Sequence, residues 1–546
     1  MNEWLKHLPI LPVAVPLMVG AAMLLLNDSH RRARLVLSSL SILTQIFLAV
    51  TLLRMTAGYV PTDWPGGVGV YLLGDWPAPF GIVAVVDRLS TIMLLLTAVL
   101  GAATWVYATA RWDRAGVHFH PLFQFLLMGL NGAFLTGDLF NLFVFFEVLL
   151  AASYGLMLHG SGRARVAAGL HYIVVNLVAS FLLLIAMALI YGVTGTLNMA
   201  DLAQRAGLLA GSERMLFEAG AAILGVAFLT KAAAWPLNFW LPAAYANAAP
   251  PVGAIFAIMT KVGVYALLRI GSLLLPSGAP AAFGGEWMFP LGMATLIFGT
   301  IGMLAAPQAE RQAGYCIIMS SGTLLAALGM PGVTLTGPAL FYLIVSVLSL
   351  GALFMLLEMV ERTQAFGAEL LAVSLEAFDL EDPEPSDRSD DVIGVAIPAA
   401  MAFLGMSFIA CALLIVGLPP LSGFVAKFSL LSAALQTSAI DAPSLSAWSL
   451  VAAVLLSSLA GIIALGRTGI RLFWSSEDSI TPRLRVTEAV PVAGLILSCV
   501  ALSFWAGPTM TYLERTANYL DRPAIYIDAV LSQNSGKPVD TRGASQ

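Results

Sequence analysis

Apolar runs of roughly twenty residues, parted by short polar links, recur along the whole chain, and a run of that length is what a helix needs to cross a bilayer. A backbone in hydrocarbon must satisfy its own hydrogen bonds, so runs of this kind fold as helices. Fourteen spans can be counted: 8–26, 33–56, 88–109, 118–136, 138–158, 166–192, 215–246, 251–271, 287–306, 311–330, 337–360, 393–436, 445–473 and 487–507. Composition supports the count, because only 11% of the 546 residues are charged, against about 25% in a soluble domain. The expected fold is an all-α polytopic membrane protein.

The links carry further expectations. From Val60 to Asp87 apolar and polar residues alternate around central turn residues, which predicts an extramembrane β-hairpin. Leu197 to Leu209 is amphipathic and short, as an interfacial piece would be. Residues 361–391 form a hydrophilic insertion, acidic towards its end, and a polar, partly aromatic tail follows the last span. The first apolar run has no small-residue cleavage site, and its basic cluster follows it, so it reads as a span and not a signal peptide. Arg31, Arg32 and Arg34, then Arg111 and Arg114, Arg163 and Arg165, and Arg467, Arg471, Arg483 and Arg485 fall in links on one side. The positive-inside rule makes that side the cytoplasm of a bacterial inner membrane, with both termini and the hairpin outside.

The seventh and twelfth spans are interrupted. One contains Trp235-Pro236-Leu237-Asn238-Phe239-Trp240, and the other Gly417-Leu418-Pro419-Pro420-Leu421-Ser422-Gly423-Phe424. Proline removes a helical donor and frees the carbonyl four residues upstream. Irregular backbone at membrane depth is tolerated where protein or water meets it. Two breaks in matching positions predict an internal repeat with a transport path between half-helices.

Ionisable residues inside the spans mark where chemistry is expected. An ammonium deep in hydrocarbon costs roughly 2.5–3.5 kcal/mol on insertion scales, yet Lys231, Lys261 and Lys427 all lie in apolar runs. Asp138 opens the fifth span as an N-cap. Glu147 lies nine residues further on, about 13 Å along the helix and near mid-bilayer. Its natural partner is Lys231, either as a static ion pair or as a proton carrier. Burial favours the neutral amine and a nearby carboxylate favours the ammonium, so separation and approach would release and reload a proton. Tyr265, one turn beyond Lys261, either bonds that amine or sits in the core. Lys427 follows the second break. His171 begins the sixth span as a proton-uptake group or an interfacial residue, and Glu358 and Arg362 are spaced as a surface pair.

Other residues offer little chemistry. Cys316, Cys411 and Cys499 are scattered in apolar runs without metal spacing. His118, His120 and His159 lack the company of a metal site. There is no Walker motif, dinucleotide fingerprint, haem attachment or iron–sulfur spacing. A transporter is expected, not an enzyme, with no cofactor, no metal and no nucleic-acid partner.

Four stretches carry a resemblance: Thr136-Gly-Asp-Leu-Phe-Asn-Leu-Phe-Val-Phe-Phe-Glu147, Tyr191-Gly-Val-Thr-Gly-Thr-Leu-Asn-Met-Ala-Asp201, Phe228-Leu-Thr-Lys-Ala-Ala-Ala-Trp-Pro236 and Gly417-Leu-Pro-Pro-Leu-Ser-Gly-Phe424. They resemble the antiporter-like subunits shared by respiratory complex I and the multisubunit Mrp-type cation/proton antiporters, and within these the D-type Mrp subunits. The resemblance implies two inverted five-helix repeats, spans four to eight and nine to thirteen. The organisation is then 1–117 for the first three helices and hairpin, 118–271 and 287–473 for the repeats, and 487–546 for the last helix and tail. It implies proton translocation by Glu147, Lys231, Lys261 and Lys427, with Pro236, Pro419 and Pro420 breaking the helices. Implied partners are other membrane subunits, protons and a monovalent cation, Na⁺ or K⁺, in the lipid bilayer. The alternative is a proton-pumping subunit of complex I or a membrane-bound hydrogenase. The acidic insertion departs from the expected pattern.

Overall fold

A computed structural model describes residues 3–26, 30–274, 285–378, 399–436, 443–474 and 484–532. The chain is almost entirely helical: α1 (Leu11–Leu24), α2 (Arg31–Thr56), α3 (Arg88–Thr109), α4 (Phe119–Leu135), α5 (Leu139–Met157), α6 (Arg163–Thr194), α7 (Met199–Ala206), α8 (Gly211–Lys231), α9 (Trp240–Asn247), α10 (Pro250–Leu274), α11 (Gly285–Ala305), α12 (Ala309–Leu328), α13 (Thr336–Phe378), α14 (Ala399–Val416), α15 (Ser422–Leu435), α16 (Leu445–Trp474), α17 (Val486–Phe504), α18 (Ala506–Leu520) and α19 (Ala524–Leu531). Among the described residues eleven helices are long and apolar enough to cross a membrane. The other expected spans are α4, which is shorter, α8 with α9, whose first turns carry Glu213, Arg214 and Glu218, and α12, which opens on Glu310 and Arg311.

The two interrupted spans are broken at the expected places. α8 ends at Lys231 and its continuation α9 starts at Trp240. α14 ends at Val416, and α15 starts at Ser422. The helices α10 and α13 form the centre and are almost wholly buried; α8, α9 and α12 pack against α10, and α12, α14 and α15 against α13.

At one end of the bundle, strands β1 (Gly69–Leu72) and β2 (Val83–Val86) pair antiparallel, Gly69 opposite Val86 and Leu72 opposite Val83. The hairpin is stitched to neighbouring links: the amide of Gly137 donates to Val83, that of Met199 to Gly137, and that of Leu139 to Leu197. The tail reads in sequence as polar and partly aromatic, without a predicted element. Instead α18 and α19 fold back onto this end, and Leu513, Tyr519, Tyr526 and Val530 are buried there. Their apolar residues recur at helical spacing between polar ones, which masks them in a hydropathy average.

The arginine-rich links gather at the opposite end. Arg31 pairs with Asp113 at 2.7 Å, Arg485 donates to the carbonyl of Ala110 at 2.6 Å, and Arg165 lies over the Trp112 ring at 5.8 Å. Glu358 corrects the expectation of a surface pair. It is buried and takes hydrogen bonds from Tyr107, Trp112 and Arg111, while Arg362 stands 3.7 Å away and bonds Glu488 at 2.9 Å. A buried carboxylate needs this much compensation. α13 also continues to Phe378, so the first part of the hydrophilic insertion is helical; residues 379–391 lie outside the described residues.

Candidate functional site

Lys231 is the last residue of α8 and is buried. The chain reverses directly after it. The amide of Ala234 donates to Leu229 and that of Ala233 to Thr230, while Ala233 takes a left-handed backbone, φ 55°. That position usually belongs to glycine, and an alanine there costs roughly 1–2 kcal/mol. The side chain of Lys231 does not form the expected contact with Glu147. Its Nζ lies over the Phe146 ring, 5.2 Å from the centroid, and among the described residues no carboxylate lies within the 4.0 Å of an ion pair. Glu147 is half-buried, and its Oε1 has no hydrogen-bond partner. A cavity of about 20 Å³ beside Lys231 is lined by Phe146, Tyr172, Asn176 and Trp240, room for about one water.

Lys261, on α10, is completely buried, and its Nζ donates to Ser321 Oγ of α12 at 3.2 Å. The hydroxyl of the preceding residue, Thr260, is buried without a hydrogen-bond partner among the described residues. Two residues further along α10, Gly263 lies against the end of α8. A Cβ at that position would sit 2.6 Å from both the Ala232 amide nitrogen and the Phe228 carbonyl oxygen, so only glycine lets the two helices meet there. This contact joins the helix of Lys261 to the last turn holding Lys231. Tyr265 does not bond Lys261, because its hydroxyl donates to the Phe134 carbonyl at 2.6 Å.

Lys427, on α15, points back at the second break. Its Nζ donates to the Val416 carbonyl at 2.8 Å and to Ser458 Oγ at 2.9 Å. Val416 is the last residue of α14, and Gly417 leaves the helix with φ 81°, so this carbonyl is one of those a helix end leaves without a helical donor. The ammonium fills the gap made by the break. On α12, Ser321 bonds Lys261, and Cys316 lies five residues before that serine, about 7.5 Å along the helix.

The supporting candidates lie apart from this line. Asp138 is the N-cap of α5 and accepts from the Asn141 amide at 3.0 Å. His171 is exposed and bonds the Ala167 carbonyl of its own helix. His120 is buried, 3.7 Å from Asp113 and within hydrogen-bond reach of Ser38 and Trp105. Among the described residues no group of three metal-ligating side chains forms. The three cysteines are buried and free.

One buried pair was not anticipated. Arg269 of α10 reaches Asp87, the N-cap of α3, through two hydrogen bonds of 2.6 and 2.7 Å, and lies between the rings of Tyr265 and Tyr526. Burial alone would raise the Asp87 carboxyl, but the Arg269 charge and the hydrogen bonds from Arg269 and Ser90 outweigh it and hold it below the usual value. The signal in the sequence is an arginine inside the apolar run Leu267-Leu268-Arg269-Ile270.

A sequence profile of the NADH:quinone oxidoreductase/Mrp antiporter transmembrane family matches residues 136–456. The chain is 51% identical to a Rhizobium meliloti (strain 1021) protein named as the D-type subunit of a probable K⁺/H⁺ antiporter, over 97% of this chain and 99% of the other. It is 31% identical to the D-type subunit of a Na⁺/H⁺ antiporter of Alkalihalophilus pseudofirmus, over 97% and 100%. A chain in the solved structure of the Mrp complex from Dietzia sp. DQ12-45-1b is similar with a TM-score of 0.78 at 28% identity, over 97% of this chain and 100% of that one.

Proposed function

The chain belongs to the NADH:quinone oxidoreductase/Mrp antiporter membrane family, and from that premise we propose that it is the D-type, proton-carrying subunit of a multisubunit antiporter that exchanges a monovalent cation for protons. The observation that carries this reading is the placement of Lys231, Lys261 and Lys427. All three amines are buried, and among the described residues none has a carboxylate within 4.0 Å. Static ion pairs fixing the fold would look different. A lysine carries the proton because its amine gives one up on burial, where arginine would not.

Glu147 and Lys231 form the first step. They form no direct bond: Lys231 lies over the Phe146 ring, and Phe146 of α5 meets Phe228 of α8, so a small shift of α5 against α8 changes how well Lys231 holds its proton. The cavity beside Lys231 accommodates a water that hands the proton on. Lys261 receives it beside the Ser321 hydroxyl, which accepts from the ammonium and can donate to the neutral amine, and Lys427 passes it onward at the second break. Each amine alternates between ammonium and neutral forms while its serine or carbonyl partners stay in place. In this reading the arginine-lined end faces the cytoplasm, and the hairpin end and both termini face outward. Other membrane subunits supply the cation path. The relative that shares half of its residues is named for K⁺ and the more distant one for Na⁺, so both ions belong in the assay.

Everted vesicles carrying the whole complex test the reading. Addition of K⁺ or Na⁺ to energised vesicles should release the pH gradient with the native chain and fail to do so with Lys231→Ala, at equal amounts of assembled complex. Native exchange in that variant would overturn the assignment.

A further inference from the structure

We propose that a groove between α2, α3, α13, α17 and α18 binds an acyl chain of an anionic phospholipid, with Arg88 holding the phosphate at the groove's hairpin-side mouth. The groove has a volume of about 500 Å³, within the range of ligand pockets. It is lined by Leu53, Ile92, Leu96, Ile344, Leu348 and Leu502, with few polar atoms along its length. The polar residues Thr509 and Tyr512 line it on α18, at the hairpin end, and the exposed Trp505 stands beside them. Indole rings of this kind sit at the level of lipid headgroups.

Arg88 supplies the charge. It opens α3, one turn before Ile92 on the same face. Its guanidinium lies over the Tyr512 ring, 5.3 Å from the centroid. One of its terminal nitrogens, Nη1, is buried without a hydrogen-bond partner, and among the described residues no carboxylate lies within 4.0 Å of it. The adjacent Asp87 is fully engaged by Arg269, so Arg88 keeps its positive charge for an outside ligand. Two oxygens of a phosphate accept two parallel bonds from a guanidinium, and phosphate is the anion this geometry suits. Basic pockets between membrane helices are a recurring form of headgroup recognition.

The length of the groove decides between a lipid and a partner helix. On α3 the lining runs from Ile92 to Val99, and Arg88 stands one turn beyond it, so mouth and groove together cover about 16 Å at 1.5 Å per residue. That is close to half of a hydrocarbon core of about 30 Å. A partner's transmembrane helix would need a seat along the whole thickness. A lipid of one leaflet needs half, with its headgroup at the end where Arg88 stands.

The assembled complex, stripped by repeated detergent exchange and reloaded from mixed micelles of palmitoyl-oleoyl phosphatidylglycerol or phosphatidylcholine, provides the test. Lipid retained per complex is extracted and counted by mass spectrometry. Native protein should retain phosphatidylglycerol in preference to phosphatidylcholine. Arg88→Gln should lower the retained phosphatidylglycerol about tenfold, the loss expected for a charge-assisted hydrogen bond, and Leu348→Trp, which fills the groove, should remove both lipids. Equal retention of the two lipids by native protein, or retention unchanged in both variants, overturns the proposal. Should either variant fail to assemble, native complex is loaded with phosphatidylglycerol bearing a photoreactive acyl chain. Cross-links to α3 and α17 support the site, and cross-links only elsewhere, or a groove filled by another subunit, overturn it.

Discussion

The ammonium of Lys427 donates to the carbonyl of Val416, the last residue of α14, whose acceptor the break leaves without a helical donor. The break and the charge are thus one device. Ser458→Ala removes the other partner of that ammonium. We expect exchange through the assembled complex to fall about tenfold, in line with the loss of a hydrogen bond to a charged group, with the complex still assembled. Stopped-flow pH measurements on proteoliposomes check this.

Lys261 depends on a neutral hydroxyl. Ser321→Ala removes its hydrogen-bond partner without changing the size of the helix contact. The expected result is a drop of about tenfold or more in exchange rate, since bonds to charged groups contribute about 1.5–3 kcal/mol, while Ser321→Thr retains most of the rate. Equal rates in the alanine variant and the native protein would remove the serine from the relay.

Gly263→Ala places a methyl group 2.6 Å from two backbone atoms of α8. Neither atom belongs to a flexible side chain, so the helices must separate, at a cost of about 1–3 kcal/mol. The melting temperature of the purified complex should fall, and exchange should fall with it because the turns holding Lys231 and Lys261 part. An unchanged melting temperature would show that the contact is looser than described.

The Asp87–Arg269 pair should set an acid limit to stability. Its carboxyl titrates below the ordinary value in the folded chain. A depressed folded value means that the pair's contribution is complete above the unfolded carboxylate value, about 3.9, and is lost as pH falls below it through the folded value. Asp87→Ala leaves a buried guanidinium unpaired and should cost about 3–5 kcal/mol at neutral pH, whereas Asp87→Leu with Arg269→Met should recover most of it. Thermal melts at pH 7 and between pH 3 and 4 separate these outcomes.

The buried lysines were legible because hydropathy cannot hide a charge inside an apolar run. Pro236, Pro419 and Pro420 announced the breaks, and Asp138 the start of α5, by chemistry local to a few residues. Partners were not legible in the same way. Ser321 is 60 residues from Lys261 and Ser458 is 31 from Lys427, and a serine in an apolar helix draws no notice until something faces it. Glu147 and Phe146 show the limit of a one-dimensional reading. Depth along a helix follows from residue number, but which neighbour meets Lys231 depends on rotation about the axis, and there the ring lies beneath the amine. Glu358 was misjudged for the same reason, since Tyr107, Arg111 and Trp112 are distant in sequence and invisible to spacing.

Arg269 is held between a ring of α10 and a ring of α19, while its aspartate caps α3. Three elements distant in sequence thus close over one charge, so a change at Tyr526 on α19 reaches the junction of α3 with α10 without touching either helix.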